Sequence, residues 1–223
     1  MNQDFLITWQ RYFQKIIGPS IFATIRMVIG TMIIGFILGF ILSILLTLYK
    51  KDGLNPKPKI YSILNFLVNT VRSFPLLILI VAISPLTRII MGTTIGEKAA
   101  VLPLSIACTM FIARMLEDCF RNVDKQLIEA AKSFGASNMQ IIFKVIVKES
   151  VPSVISVLTI STITYIGATT IAGAVGAGGL GSIALNYGYQ SFNNFILYTC
   201  VFILFILVQL TQLLGNWLYK KSL

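Results

Sequence analysis

Apolar residues fall along this chain in long runs separated by short polar stretches, and the runs have the length of membrane spans. From Met27 to Tyr49 there is no charged residue, a stretch long enough to cross the roughly 30 Å hydrocarbon layer as a helix. Ile60 to Ile83 predicts a second span, interrupted by Arg72-Ser73-Phe74-Pro75, where proline removes a backbone donor and kinks the helix. Pro85, Arg88, Gly92, Gly96 and Glu97 make Ser84 to Lys98 an external loop, and a third span runs from Ala99 to Ala113. No charge occurs between Glu149 and Lys220, a run too long for one crossing. The glycine- and asparagine-rich segment 172–194 divides it, which predicts Val151 to Ile171 and Phe195 to Leu214 as the fourth and fifth spans. The fold class predicted is therefore all-α and integral to a membrane, one domain over residues 1–223 with about five transmembrane helices.

One stretch, 119–150, reads like soluble protein. Val123, Leu127, Ala130, Ala131 and Phe134 recur at helical spacing, with Lys125, Gln126, Glu129 and Lys132 elsewhere on the turn, which predicts an amphipathic helix. Gly135 ends it, since glycine takes the left-handed conformation favoured after helix C-termini. Ser137 with Gln140 three positions on is a capping-box pattern that restarts a helix. Met139, Ile142, Phe143 and Ile146 form its apolar side, against a polar stripe of Gln140, Lys144 and Lys148. At the other end of the chain, residues 1–18 set Phe5, Trp9, Phe13, Ile16 and Ile17 opposite Asp4, Gln10, Arg11 and Gln14, the pattern of a helix lying in the membrane interface. A cleavable signal peptide is not expected there.

Charge then orients these elements. The 223 residues carry 18 Lys and Arg against 8 Asp and Glu, a formal net charge of +10, with 12% charged residues in all and a mean hydropathy of +0.84. In a soluble protein that excess would suggest nucleic acid; here basic residues gather beside spans, as they do on the cytoplasmic side, so no nucleic-acid partner is expected and membrane lipid is. Lys50, Lys51, Lys57 and Lys59 mark the first turn as cytoplasmic, which places the N-terminus outside. Arg114, Glu117, Asp118 and Arg121 close the third span inside, delivering 119–150 to the cytoplasm, and Trp217, Tyr219, Lys220 and Lys221 anchor the C-terminus inside. Three cysteines and no histidine offer neither a disulfide framework nor a metal site.

Glu129-Ala130-Ala131, with Gly135 four residues beyond and Val145 and Val147 further on, resembles the EAA loop of binding-protein-dependent ABC importer permeases. The resemblance implies that the coupling loop sits in a cleft of a cytoplasmic ATPase, with Glu129, Ala130, Ala131, Gly135, Ala136, Ser137, Met139, Gln140, Ile142 and Phe143 as ATPase-coupling residues. The chain departs at Lys148, where the family usually has proline; Pro152 follows. Arg72-Ser73-Phe74-Pro75, the segment from Ser84 to Asp118, and AGAVGAGGLGSIALNYGYQSFN are similar to the methionine-import permeases within that family, from about Ile21 to about Leu214. This implies a homodimer in a bacterial cytoplasmic membrane, paired with an ABC ATPase dimer that binds ATP and magnesium, and fed methionine by an external substrate-binding lipoprotein. The chain itself would bind no cofactor or metal and would not be an enzyme.

Other chemistry is poorly supported. Gly176, Gly178 and Gly181 spell a formal G-x-G-x-x-G, but a dinucleotide site needs an acidic residue about 20 positions on, and no Asp or Glu follows Glu149. Close helix packing through Gly173, Ala177 and Gly181, or a flexible outer loop or broken helix, explains the glycines. Arg72, and Thr162, Tyr165 and Thr169 on one face of the fourth span, are candidates for the translocation pathway; the alternatives are a snorkelling arginine and hydroxyls bonded to their own helix. A secondary transporter would need ion-coupling groups within the bilayer, and Arg72 is the one charge well inside a predicted span. A permease for another amino acid or a small peptide remains an alternative substrate reading.

Overall fold

The computed structural model describes residues 12–223. Most of the interfacial helix expected over 1–18 therefore lies outside the described residues, whose first element is a π-helical turn, Phe13–Ile17. It leads into α1 (Gly18–Tyr49), followed by α2 (Pro58–Ser73), α3 (Leu76–Ala82), α4 (Ser84–Met91) and α5 (Glu97–Arg121). Next come α6 (Lys125–Ser133), α7 (Asn138–Ile141), a second π-helical turn (Ile142–Ile146) and α8 (Val147–Glu149). The chain ends with α9 (Val151–Ala174), α10 (Gly179–Ile183), a third π-helical turn (Ala184–Tyr189) and α11 (Asn194–Ser222). Among the described residues four helical stretches, Phe13–Tyr49, α5, α9 and α11, are long and apolar enough to cross a membrane, and α2 with α3 makes a fifth if counted as one broken span.

Several boundaries differ from the sequence reading. The first helix begins well before Met27, because the charge at Arg26 is met by Glu97, 3.0 Å away. The second span is broken rather than kinked: Phe74 and Pro75 both take extended backbone, with ψ of 133° at each, since the residue before proline is pushed out of the helical region. The expected loop 84–98 contains α4, started by a proline in its first turn and ended by Gly92 at φ 75°. The last helix continues to Ser222, with Lys221 lying over the Trp217 ring one turn earlier.

The chain resolves into two compact units. Among the described residues the first comprises 12–33, 75–106 and 162–211, and the second 34–74, 107–161 and 212–223, so the division passes through α1, α5, α9 and α11. In a bilayer lipid tails are as apolar as leucine, so close packing holds helices together more than expulsion of water does. In the first unit Ile17, Leu180, Ile196 and Cys200 form a buried cluster. The glycine-rich segment folds back onto it: Leu180 N donates to Thr24 Oγ1 at 2.9 Å, and a Cβ on Gly181 would collide with the Thr170 Cα. Both explanations of the glycines hold, because Gly178 and Gly179 also make a left-handed turn at φ 81° and 77°. In the second unit a Cβ on Gly35 would meet Cys108 Sγ at 2.5 Å, one on Gly39 would meet the Thr109 carbonyl at 2.9 Å, and one on Gly215 would collide with Thr159 Oγ1. Phe40 packs edge-on against Phe120 at 6.2 Å.

Candidate functional site

The segment from Asp124 to Ser150 is held by its helix ends. Asp124 caps α6 by accepting from Gln126 N at 2.8 Å. At the other end Gly135, at φ 76°, donates its N–H to Lys132 O, and Ala136 donates to Ala131 O, the paired bonds of a Schellman motif. The predicted capping box is formed: Ser137 N donates to Gln140 Oε1 at 2.8 Å and Gln140 N to Ser137 Oγ at 3.3 Å. Two helices thus meet at a glycine, each with a capped start and the first with its last carbonyls bonded across the turn.

Their faces are not disposed as simple amphipathicity suggests. Lys125, Ile128, Glu129 and Lys132, at i, i+3, i+4 and i+7, line an open cleft of about 290 Å³, whose other walls include Lys50, Leu54, Glu117 and Phe120. The apolar stripe faces out, with Leu127 44% and Phe134 91% exposed, and α6 buries no residue at all. In the second helix the expected face divides. Ile142 and Ile146 are buried while Met139, in the α-helical turn before, and Phe143 are exposed; from Ile142 the π turn widens the repeat beyond the 3.6-residue register. Of the other residues expected there, Glu129, Ala130, Gly135, Ser137 and Gln140 are exposed, and Ala131 and Ala136 half-buried. On the turn beside the cavity Lys50 pairs with Asp52 at 3.2 Å. Slight burial works upward on the Asp52 carboxyl, but the hydrogen bond and charge of Lys50, a backbone hydrogen bond and the charge of Lys125 hold it below the ordinary value.

A second polar feature lies within the helices and was not singled out from the sequence. Arg114 and Glu117 pair at 2.6 Å with side chains only 17% and 7% exposed. The same guanidinium donates to the side-chain oxygens of Asn65 and Asn69, and Tyr61 donates its hydroxyl to Glu117 at 3.1 Å. A buried carboxylate is therefore present, contrary to the expectation from the sequence. It is tolerated because a cation and a hydroxyl surround it. Arg114 with Glu117 at i, i+3, and Asn65 with Asn69 at i, i+4 inside an apolar run, were the available signals.

The residues considered for a pathway fall in different units. Arg72 is exposed in the last turn of α2, where it makes no ion pair among the described residues. Tyr165 and Thr169 are buried at 5% and 1% exposure, Thr162 is half-buried, and Thr169 donates to Ile166 O at 2.7 Å, so this hydroxyl is satisfied within its own helix. Among the described residues no group of three His, Cys, Asp or Glu gathers as a metal site.

Residues 39–222 match the family described as binding-protein-dependent transport system inner membrane component. Over 223 residues the chain is 38% identical to the probable D-methionine transport system permease protein MetI of Vibrio cholerae, covering 99% of this chain and 93% of that protein. It is 38% identical over 171 residues, 77% of each chain, to the methionine import system permease protein MetP of Bacillus subtilis. Among solved structures it superposes on a chain of the MetNI methionine ABC transporter, in inward-facing conformations, with a TM-score of 0.92 at 34% identity and full coverage of both chains. An amino acid ABC transporter crystallised with histidines shares the fold, at a TM-score of 0.78 and 17% identity.

Proposed function

The chain belongs to the family of binding-protein-dependent transport system inner membrane components, and from that premise we propose that it is the permease subunit of an ATP-driven methionine importer. It is a multi-pass protein of the bacterial cytoplasmic membrane and a transport component rather than an enzyme. Two copies pair with each other and with a dimeric cytoplasmic ATPase, which carries the ATP and magnesium, and an external lipoprotein delivers the substrate. The N-terminus lies outside and the C-terminus inside, as one transmembrane domain spanning the whole chain. The observation that carries this reading is the capped helix pair with its apolar side turned outward: Leu127, Phe134, Met139 and Phe143 are all more than 40% exposed on a segment otherwise rich in polar residues.

ATP binding draws the two ATPase subunits together, and a contact transmits that motion only if its energy differs between the two states. The stretch from Glu129 to Phe143 supplies such a contact, with Phe134 as the natural anchor, since a large exposed aromatic gains most by entering a cleft. The substrate then passes a route to which Arg72, Thr162, Tyr165 and Thr169 contribute. Support for methionine comes from the two relatives and the superposed transporter, and the test is reconstitution. The chain, its neighbouring ATPase and its binding lipoprotein are placed in ATP-loaded vesicles, and labelled methionine uptake is followed. Uptake requiring all three components and ATP is the expected result; assembly and ATP hydrolysis without methionine uptake would move the substrate to another amino acid, and uptake by the chain alone would overturn the reading.

A further inference from the structure

In the first unit a cavity of about 160 Å³ lies between α3, the start of α5 and the end of α9, with walls of Ile80, Val81, Ala99, Pro103, Ala172 and Val175. It is an open cleft rather than a closed void, since Val81 and Ile95 in its wall are 53% and 68% exposed. Three features distinguish it from a packing void. Pro103 carries no N–H, so the Ala99 carbonyl in the cavity wall has no helical donor four residues on. Ser84 and Thr94 also line the cavity, and their hydroxyls have no hydrogen-bond partner among the described residues. Both residues are shared with an adjoining shallow depression that holds Arg88, an exposed cation without an ion pair among the described residues. An apolar cleft, two hydroxyl oxygens without a partner among the described residues and one unpaired guanidinium at the rim match the three parts of a small zwitterion: an apolar side chain, an ammonium and a carboxylate. A phospholipid fits less well, because its acyl chain exceeds the cleft several-fold. Ala172 continues the helical face of Thr162, Tyr165 and Thr169 at i+10, i+7 and i+3, so the cavity lies at the end of that stripe.

We propose that this cavity is a transit site on the permease itself, holding the apolar side chain of a zwitterionic amino acid among Val81, Ala172 and Val175 while Arg88 takes its carboxylate. The proposal rests on the reading of the chain as an amino-acid importer and assigns the permease a part in recognising the substrate. Discontinuous helices and irregular backbone at membrane depth are accommodated where they line such a cavity, and α3 and α4 are short pieces of that kind.

The test is substituted-cysteine protection on the permease–ATPase complex in lipid nanodiscs, without the binding protein. Cys108 and Cys200 are fully buried, so replacing only the half-buried Cys119 by serine leaves a quiet background. Val81→Cys and Val175→Cys report on the cavity from two different elements, and Tyr198→Cys, 68% exposed, serves as a control. L-methionine is expected to slow thiol labelling at both reporters and not at the control. Arg88→Gln is expected to raise the half-protecting concentration by about tenfold, the lower bound for losing a charge-assisted hydrogen bond, and Arg88→Lys to recover part of it. Absence of protection, protection unchanged by Arg88→Gln, or protection by added phosphatidylglycerol and not by methionine would each overturn the proposal. The two readings fail separately: a wild-type complex that imports methionine but shows no protection sinks the transit site alone, whereas a chain that neither binds the ATPase nor supports uptake sinks the importer.

Discussion

Removal of Arg114 is expected to be the most damaging single truncation in the second unit. Arg114→Met keeps the volume and apolar stem but leaves Glu117, 7% exposed, with the Tyr61 hydroxyl as its remaining partner. An uncompensated buried charge costs about 3–5 kcal/mol. Glu117→Met is the milder change, because Arg114 keeps the oxygens of Asn65 and Asn69 and is 17% exposed, so its head can reach water; about 2 kcal/mol is expected, from the lost charge-assisted bond. The double variant buries no charge and loses the bonds to Tyr61, Asn65 and Asn69, at about 1 kcal/mol each. It should therefore cost about 3 kcal/mol, well below the sum of the singles, a coupling of about 2–4 kcal/mol. The protein supplies its own assay. Cys108 and Cys200 are free and fully buried, so a thiol-reactive fluorophore reports thermal unfolding as they become accessible. At about 2–4 °C per kcal/mol for a chain of this size, Arg114→Met lowers the midpoint by about 6–20 °C. Equal losses from both single variants, or a double variant equal to their sum, would show that the pair is not a coupled unit.

Three further outcomes follow from the same structure. Gly35→Ala drives a Cβ to within 2.5 Å of Cys108 Sγ and is expected to lower the midpoint in the thiol assay by several degrees, whereas Gly30→Ala, whose nearest neighbour is Val101 at 3.4 Å, leaves it unchanged. At Gly135 a Cβ meets nothing within 4 Å, so the cost of Gly135→Ala is purely that of the left-handed backbone, about 1–2 kcal/mol; ATPase affinity, read by co-purification, falls about 5–30-fold, Gly135→Asn keeps most of it, and Gly135→Pro, which also deletes the N–H donated to Lys132, abolishes it while membrane insertion stays intact. Asp52 has a lowered folded pKa, so its contribution is present above the unfolded carboxylate value and is lost as pH falls through the folded one. Its side chain is 59% exposed, so Asp52→Asn at neutral pH should shift stability by no more than about 0.5 kcal/mol, and a larger loss measured by the same fluorophore would mean that the turn is tied to the cavity more tightly than its ion pair shows.

The spans were legible because twenty or so apolar residues without charge leave one physical solution, a helix in lipid. What composition could not place were the ends. Arg26 looks like a terminus until Glu97, 71 residues away, is seen to neutralise it, and only tertiary structure brings the two together. The Gly135 stop and the Ser137–Gln140 capping box were legible for the opposite reason, since these residues act on neighbours three positions away. The π turn was not, because i→i+5 bonding has no sequence signature comparable to a cap, and within it the exposed Phe143 lies between the buried Ile142 and Ile146. Arg114 and Glu117 were read as the polar end of a span because a charge near a helix terminus usually reaches water. The structure keeps them in, because Asn65, Asn69 and Tyr61 offer what water would.

The helix that carries the proposed coupling contact is the one least able to stand alone. A nine-residue helix is below the length at which helices persist in water, and α6 buries no side chain that could hold it by packing. Its order comes from Asp124 at one end, the Schellman bonds at Gly135 at the other, and Ile141, Ile142 and Ile146, which fix the segment that follows. A partner that closes over Leu127 and Phe134 therefore grips an element fastened at its ends, and displacement passes through those ends into α5 and α9, the helices it joins. Arg114 and Glu117 tie α5 to α2 within about two turns of where α6 is joined to it. A load arriving at Asp124 thus meets a buried ion pair before it meets lipid-facing packing. On this account, variants that leave assembly intact but uncouple ATP hydrolysis from uptake should concentrate at the caps and at that ion pair. Random substitutions selected for hydrolysis without transport would test it: clustering instead along the apolar stripe of Leu127 and Phe134 would place the weak link at the contact rather than behind it.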